Sequence, residues 1–203
     1  MPRRGRLIVF VAPSGAGKTS VIRLVRSRHG GVAYSVSCTT RPMRPGEVDG
    51  RDYRFLDEPT FRRGIDDGRF VEWAEVHGHL YGTPREPLDE ALEQDRDVLL
   101  DLDVAGSLRL KELYRDRAVT VFLSPPSVDE LERRLLGRAT DSPEVQRLRL
   151  RNALKEMTFR DRFDFQVVND DLERVCREID GILGFAPRGE GRGKQQDEGA
   201  GRS

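Results

Sequence analysis

The chain has 203 residues, 35 Lys and Arg against 35 Asp and Glu, and 36% hydrophobic residues. That length is enough to bury a full core as one domain, and the balanced charge leaves no footprint for nucleic acid or an anionic membrane. No apolar stretch approaches spanning length, and the start of the chain lacks the apolar core of a signal peptide. Cys38 and Cys176 stand far apart and fit no metal spacing, which suits a reduced, cytoplasmic protein.

The first element is a buried strand over 6–11, carried by Leu7-Ile8-Val9-Phe10-Val11. It runs into Ala12, Pro13, Ser14, Gly15, Ala16, Gly17, Lys18, Thr19 and Ser20, and a helical pattern follows over 18–28. A strand, a glycine-rich turn and Lys-Thr opening a helix form a phosphate cradle, because glycine lets consecutive N–H groups converge and the helix N-terminus adds partial positive charge. Lys18 is expected to reach the terminal phosphates of a nucleoside triphosphate, with the Thr19 hydroxyl on Mg²⁺. Ala12 replaces the first glycine of the usual pattern, which is tolerable if its backbone stays extended.

Further strands are expected over 33–38, 97–102, 117–123 and 164–168, and helices over 85–94, 104–114, 127–137, 143–158 and 171–183. Strands alternating with helices predict an α/β fold, a parallel sheet flanked by helices. Ser127-x-x-Glu130 reads as a capping box, with Val128, Leu131 and Leu135 as that helix's apolar stripe. Between about 39 and 82 the character changes. Short strand-like pieces at 52–55 and 70–76 flank Glu58–Asp67, which predicts an inserted, mainly β subdomain. Residues 186–203 are glycine-rich without apolar periodicity and are expected to form a disordered tail.

The second substrate must be read from the insert. Arg41 and Arg44 sit three residues apart on a Pro- and Gly-stiffened segment, and guanidinium forks suit phosphate oxygens. Tyr53 and Tyr81 can add phenolic donors to the same phosphate. His29, His77 and His79 show no catalytic arrangement.

Ser37–Gly50 (S-C-T-T-R-P-M-R-P-G-E-V-D-G) resembles the nucleotide-binding signature of guanylate kinases. So do Phe70-Val71-Glu72-Trp73-Ala74, Tyr81-Gly82-Thr83, Leu100-Asp101-Leu102-Asp103, Gly137-Arg138 and Val168-Asn169-Asp170-Asp171, in the family's order over about residues 6–183. The resemblance implies a P-loop NTPase core (1–34, 97–137 and 159–185), a GMP-binding insert (35–96) and a small helical lid (138–158). It implies ATP and GMP as substrates, with dGMP left open, and a monomer or homodimer.

By the same resemblance Ser37, Arg41, Arg44, Tyr53, Glu72, Tyr81, Thr83 and Asp101 bind GMP. Guanine presents N1–H and its amino group as adjacent donors, so the one carboxylate of Glu72 accepts both while the Thr83 hydroxyl meets the guanine oxygen. Arg44, Arg138 and Arg149 contact the reacting phosphates beside Lys18, with Arg134 in support, and Asn169 and Asp170 lie on the adenine side. Arg147 and Arg151 are expected to face solvent. Asp101 and Asp103 end a strand facing the phosphate loop, where one of them would hold a Mg²⁺-bound water; Asp103 is assigned that role. Two positions depart from the family: Ala105 stands where glutamine is usual, and Ala139 follows Gly137-Arg138 where glycine is usual. Two other readings fit the same features. One is a P-loop kinase of another phosphorylated small molecule, such as a ribose bisphosphate. The other is a non-catalytic guanylate-kinase-like module that binds phosphopeptides.

Overall fold

The computed structural model describes residues 4–76, 78–136 and 143–185. In chain order the elements are β1 (Leu7–Val11), α1 (Lys18–Arg28), β2 (Ala33–Tyr34), β3 (Cys38–Thr39), β4 (Arg54–Phe55), α2 (Glu58–Asp66), β5 (Phe70–Val76) and β6 (His79–Pro84). They continue with α3 (Glu86–Glu93), β7 (Val98–Asp101), α4 (Val104–Tyr114), β8 (Ala118–Ser124), α5 (Val128–Leu136), α6 (Pro143–Met157), β9 (Phe165–Val168) and α7 (Leu172–Leu183).

Five strands form a parallel sheet in the order β2-β7-β1-β8-β9. Every residue of β1 is buried, as a central strand covered on both faces requires. Its side chains alternate between two cores. Ile8 and Phe10 pack with Val21, Val25, Val175 and Ile179 from α1 and α7. Leu7, Val9 and Val11 pack with Leu88 and Leu110 from α3 and α4. The α7 stripe of Val175, Cys176, Ile179 and Leu183 follows helical spacing, and the helix is closed at both ends. Asp171 accepts the Arg174 N–H at its start, and Gly184 ends it with φ 63°.

The strand expected over 33–38 divides in two. β2 belongs to the parallel sheet, whereas β3 joins a second sheet of order β4-β3-β6-β5. The chain crosses between sheets at Ser35–Ser37: the Ser35 N–H donates to the Leu99 carbonyl, and the Ser37 carbonyl accepts from the Arg54 N–H. The insert therefore has its own sheet. Helix α2 covers that sheet, with Phe61 stacked on Phe70 at 4.4 Å and packed against Cys38 and Leu80. Asp57 caps α2 by accepting the Thr60 N–H at 2.7 Å.

The start of α5 differs in part from the sequence expectation. The Ser127 hydroxyl accepts the Glu130 N–H at 3.1 Å, but the Glu130 carboxylate is held by Arg133 and Arg134. Leu131 and Leu135 are buried with Leu150 and Ala153 of α6, while Val128, in the first turn, is exposed. The tail 186–203 and the lid tip, including Arg138 and Ala139, lie outside the described residues. No helix among the described residues is long and apolar enough to cross a membrane.

Candidate active site

The phosphate loop leaves β1 at the C-terminal edge of the parallel sheet, where open α/β folds place their ligands. Gly15 and Gly17 take φ 89° and 88°, the left-handed conformation that lets backbone N–H groups turn inward. Ala12 is not among the positive-φ residues, so its methyl is accommodated at no backbone cost. A cavity of about 460 Å³ is lined by Ala12, Pro13, Ser14, Gly15, Gly17, Lys18, Thr19 and Ser20, with Asp103 and Glu156 on the facing walls.

Lys18 opens α1 and reaches the end of β7. Its ammonium lies 2.5 Å from Asp101 Oδ1 and donates to the Leu102 carbonyl at 2.9 Å. This separates the two acids that end β7. Asp101 holds Lys18; burial raises the Tyr34 and Tyr53 phenols, and the Asp101 carboxylate adds to both rises. Asp103 caps α4, accepting the Gly106 N–H at 2.7 Å, and borders both the phosphate cavity and the one beside it.

That neighbouring cavity, about 350 Å³, is lined by Glu72, Asp103, Ala105 and Gly106 among others. Glu72 pairs with Thr83 across the antiparallel β5–β6 ladder, and the Thr83 hydroxyl donates to Glu72 Oε1 at 2.5 Å. A register irregularity between Phe70 and Glu72 re-aims the strand there. Burial pushes the Glu72 carboxyl above its ordinary range, against the Thr83 hydrogen bond and with Asp103 adding to the rise. A Cβ on Gly106 would stand 2.9 Å from Glu72 Oε2, so only glycine lets the carboxylate approach α4 this closely.

Elsewhere in the insert, Arg41 is buried. Its fork meets both oxygens of Glu47, at 3.0 and 2.8 Å, and its guanidinium lies 5.4 Å from the centre of the Tyr53 ring. Tyr53 and Tyr81 stand edge to face, with ring centres 6.0 Å apart. Glu47 also accepts the Arg44 N–H at 2.8 Å, leaving the Arg44 side chain exposed. The Arg41 fork in turn holds the Glu47 carboxyl below its ordinary range. Ser37 sits just before β3, half-buried.

At the other end of the phosphate loop, Asn169 Nδ2 donates to the Ala16 carbonyl at 2.6 Å. Arg134 Nη1 stands 4.0 Å from where a Gly17 Cβ would lie, so α5 delivers this arginine to the loop. Asp170 is exposed and ion-paired with Arg174. Arg149, on α6, is half-buried, whereas Arg147 and Arg151 are exposed as expected. Arg138 lies outside the described residues.

Three residues escaped the sequence reading. Glu47 lies within a motif already noted, and its spacing from Arg41 on a stiff loop was an available signal. Gly106 becomes informative only once Glu72 is seen beside it. Glu156, midway through an ordinary helical pattern, carried no signal at all. A larger cavity, about 840 Å³, opens between α2 and α3 beside Cys38, Thr60, Arg85 and Asp89; none of the expected site residues line it.

The Guanylate kinase family profile matches residues 4–185. A guanylate kinase of Nitrobacter winogradskyi is 49% identical over 181 residues, covering 89% of this chain and 83% of its own. One of Rubrobacter xylanophilus is also 49% identical over 181 residues, covering 89% of this chain and 94% of its own. The crystal structure of a guanylate kinase from Anaplasma phagocytophilum superposes with TM-score 0.72 at 32% identity, covering 91% of this chain and 87% of that one. On this match, across the whole parallel sheet and its insert, the chain belongs to the guanylate kinase family.

Proposed function

We propose that the chain carries out the family's phosphoryl transfer, ATP to GMP giving ADP and GDP, with the cradle at residues 12–20 taking the triphosphate and the insert taking the monophosphate. The observation that carries this reading is the Glu72–Thr83 pair, a carboxylate hydrogen-bonded to a hydroxyl, with Glu72 lining a cavity that shares Asp103 with the phosphate cavity. The pair matches the edge of guanine. Adenine would turn the acceptor N1 toward the carboxylate and leave buried polar groups unpaired, at about 1–3 kcal/mol each. A sugar-phosphate kinase would have no use for such a base-reading pair, and a non-catalytic module would have no use for the Lys18 cradle.

The attacking group is a phosphate oxygen, already ionised at neutral pH, so no strong base is needed. The chain must align two anions that repel each other and spread the charge of the moving phosphoryl group. Lys18 is preset for this by Asp101 and the Leu102 carbonyl. Arg134 stands beside Gly17, and Arg149, on α6, would add to the cationic surround, with Arg138 outside the described residues. Arg41, Arg44, Ser37, Tyr53 and Tyr81 hold the acceptor's phosphate, with Arg41 kept in place by Glu47. Asn169 shapes the loop that receives the triphosphate, and Asp170 lies at its adenine side.

The residues fit a magnesium ion. Thr19 and Asp103 present hard oxygens in the phosphate cavity, and Glu156 Oε2 lies buried there without a partner. No cluster of three or more metal-binding side chains exists among the described residues, as suits a cation held largely by phosphate and water. Bound with the triphosphate, Mg²⁺ would supply positive charge that offsets the negative charge of the phosphates. Closure of the insert (35–96) and lid (138–158) over the core excludes water. A cytoplasmic setting belongs to the same reading, supported by the two free cysteines, Cys38 and Cys176.

The test is ADP release from Mg·ATP with GMP, AMP, CMP, UMP and ribose 1,5-bisphosphate offered separately, and Lys18→Ala as control. Turnover with GMP that the control abolishes is the expected result. An inert GMP beside an active sugar phosphate would overturn the base-pocket reading.

A further inference from the structure

Glu156 sits one residue before the end of α6. Its side chain leaves the helix to line the phosphate cavity with Ser14, Lys18, Thr19 and Asp103. The Ser14 backbone N–H faces its carboxylate, yet Oε2 is buried with no hydrogen-bond partner. A carboxylate oxygen buried without a donor is costly, so such an atom marks a place where something else belongs.

The chemistry of that something is constrained. Lys18 is already committed to Asp101 and the Leu102 carbonyl. Phosphate oxygens carry no proton to give, and their charge repels a carboxylate. Asp103 borders the same cavity, so two carboxylates face one space and raise each other's demand for a cation. A hydrated divalent ion answers both needs, because it brings positive charge and water protons that point outward.

We propose that Glu156 is an outer acceptor for the hydrated Mg²⁺ that accompanies the triphosphate, receiving one of its water ligands from the α6 side while Asp103 receives another. This rests on the triphosphate reading of the phosphate loop. Because α6 also carries Arg149, Glu156 ties the arrival of the metal to the placement of that helix.

The test titrates Mn²⁺, an observable substitute for Mg²⁺, into the full chain with ADP and reads bound metal by electron paramagnetic resonance. ADP affinity is measured in parallel with and without metal by calorimetry. Glu156→Gln keeps the size and an acceptor for the Ser14 N–H but removes the charge. It is expected to weaken metal binding to the ADP complex about tenfold, the scale of a lost outer-sphere partner, with metal-free ADP affinity held or raised as a repelling charge is lost. Equal metal affinity in both proteins overturns the inference. So does an equal loss of ADP binding with and without metal, which would mark a structural role. Tighter metal-free ADP binding with the metal affinity of the ADP complex undiminished would make Glu156 a plug against the phosphates and likewise overturn it. A wild-type chain that binds no metal with ADP would remove the phosphate-loop reading itself. Should Glu156→Gln not fold, Glu156→Asp, which withdraws the carboxylate by one methylene, is expected to show the same selective loss.

Discussion

Asn169, just past β9, and Ala16, in the middle of the phosphate loop, are joined by a 2.6 Å hydrogen bond from the amide nitrogen to the carbonyl oxygen. The fit is close, since a Cβ on Gly17 would come within 2.5 Å of the same nitrogen. The last strand of the sheet thus holds the cradle in shape before any ligand arrives. Asn169→Ala removes the donor from a buried site and is expected to cost about 1–3 kcal/mol in urea unfolding. The KM for ATP is expected to rise while that for GMP holds. An unchanged unfolding midpoint would show that the loop holds its shape without this tie.

Lys18 is preset by the 2.5 Å contact with Asp101. Lys18→Met is expected to lower kcat by about 10²–10³-fold, the scale of removing one preorganised charge from a transition state. Asp101→Asn leaves the ammonium in place but loosens its direction, so its loss of kcat is expected to be smaller. Initial rates at saturating substrates separate the two; equal losses would contradict this ordering.

GMP affinity is expected to depend on pH through Glu72. Burial raises its carboxyl above the ordinary range, and recognition of the guanine edge needs the carboxylate. Affinity is therefore full above the raised pKa and falls as pH drops through it, about tenfold per unit once the group is protonated. Thr83→Ala removes a hydrogen bond that lowers this pKa, so the fall is expected to begin at higher pH. Glu72→Gln is expected to bind GMP about a hundredfold more weakly, with this pH dependence gone. Calorimetric titration of GMP across the acid range checks it; a wild-type profile as flat as the variant's would exclude Glu72 as the reader.

Gly106→Ala places a methyl 2.9 Å from Glu72 Oε2. Overpacking there is expected to cost about 1–3 kcal/mol of GMP binding. The effect on ATP binding is expected to be smaller, because the nearest atom is Glu72 Oε2 and Asp103 Oδ1 stands farther off, at 3.2 Å. A matching rise in both KM values would mean that α4 had shifted as a whole.

Glu47 holds both the Arg41 fork and the Arg44 N–H. Glu47→Gln keeps one acceptor but loses the paired charge, and the KM for GMP is expected to rise about tenfold with kcat less affected. A fall in kcat alone would place Glu47 at the transfer step and not at acceptor binding.

Much of this architecture was legible along the chain because its signals are local. The β1 apolar run, the Gly15–Gly17–Lys18 turn and the α7 stripe each lie within one or two turns of sequence, and each formed where its pattern predicts. The strand expected over 33–38 failed because periodicity shows that a segment is extended, not which sheet receives it. β2 and β3 part company at Ser35–Ser37 through bonds to Leu99 and Arg54, residues far away in sequence. β6 was missed although the β5–β6 hairpin is what brings Thr83 opposite Glu72.

By itself, then, the sequence determined the glycine-rich turn after β1, the alternating α/β order and the residue types of the insert, since backbone preference and side-chain chemistry are properties of short segments. The tertiary structure alone decided that Asp101 pairs with Lys18 while Asp103 caps α4, that Asn169 braces the phosphate loop, and that Glu156 reaches the phosphate cavity from α6. Those assignments depend on contacts across dozens of residues of chain, and only packing of the elements on one sheet brings such distant groups within bonding distance.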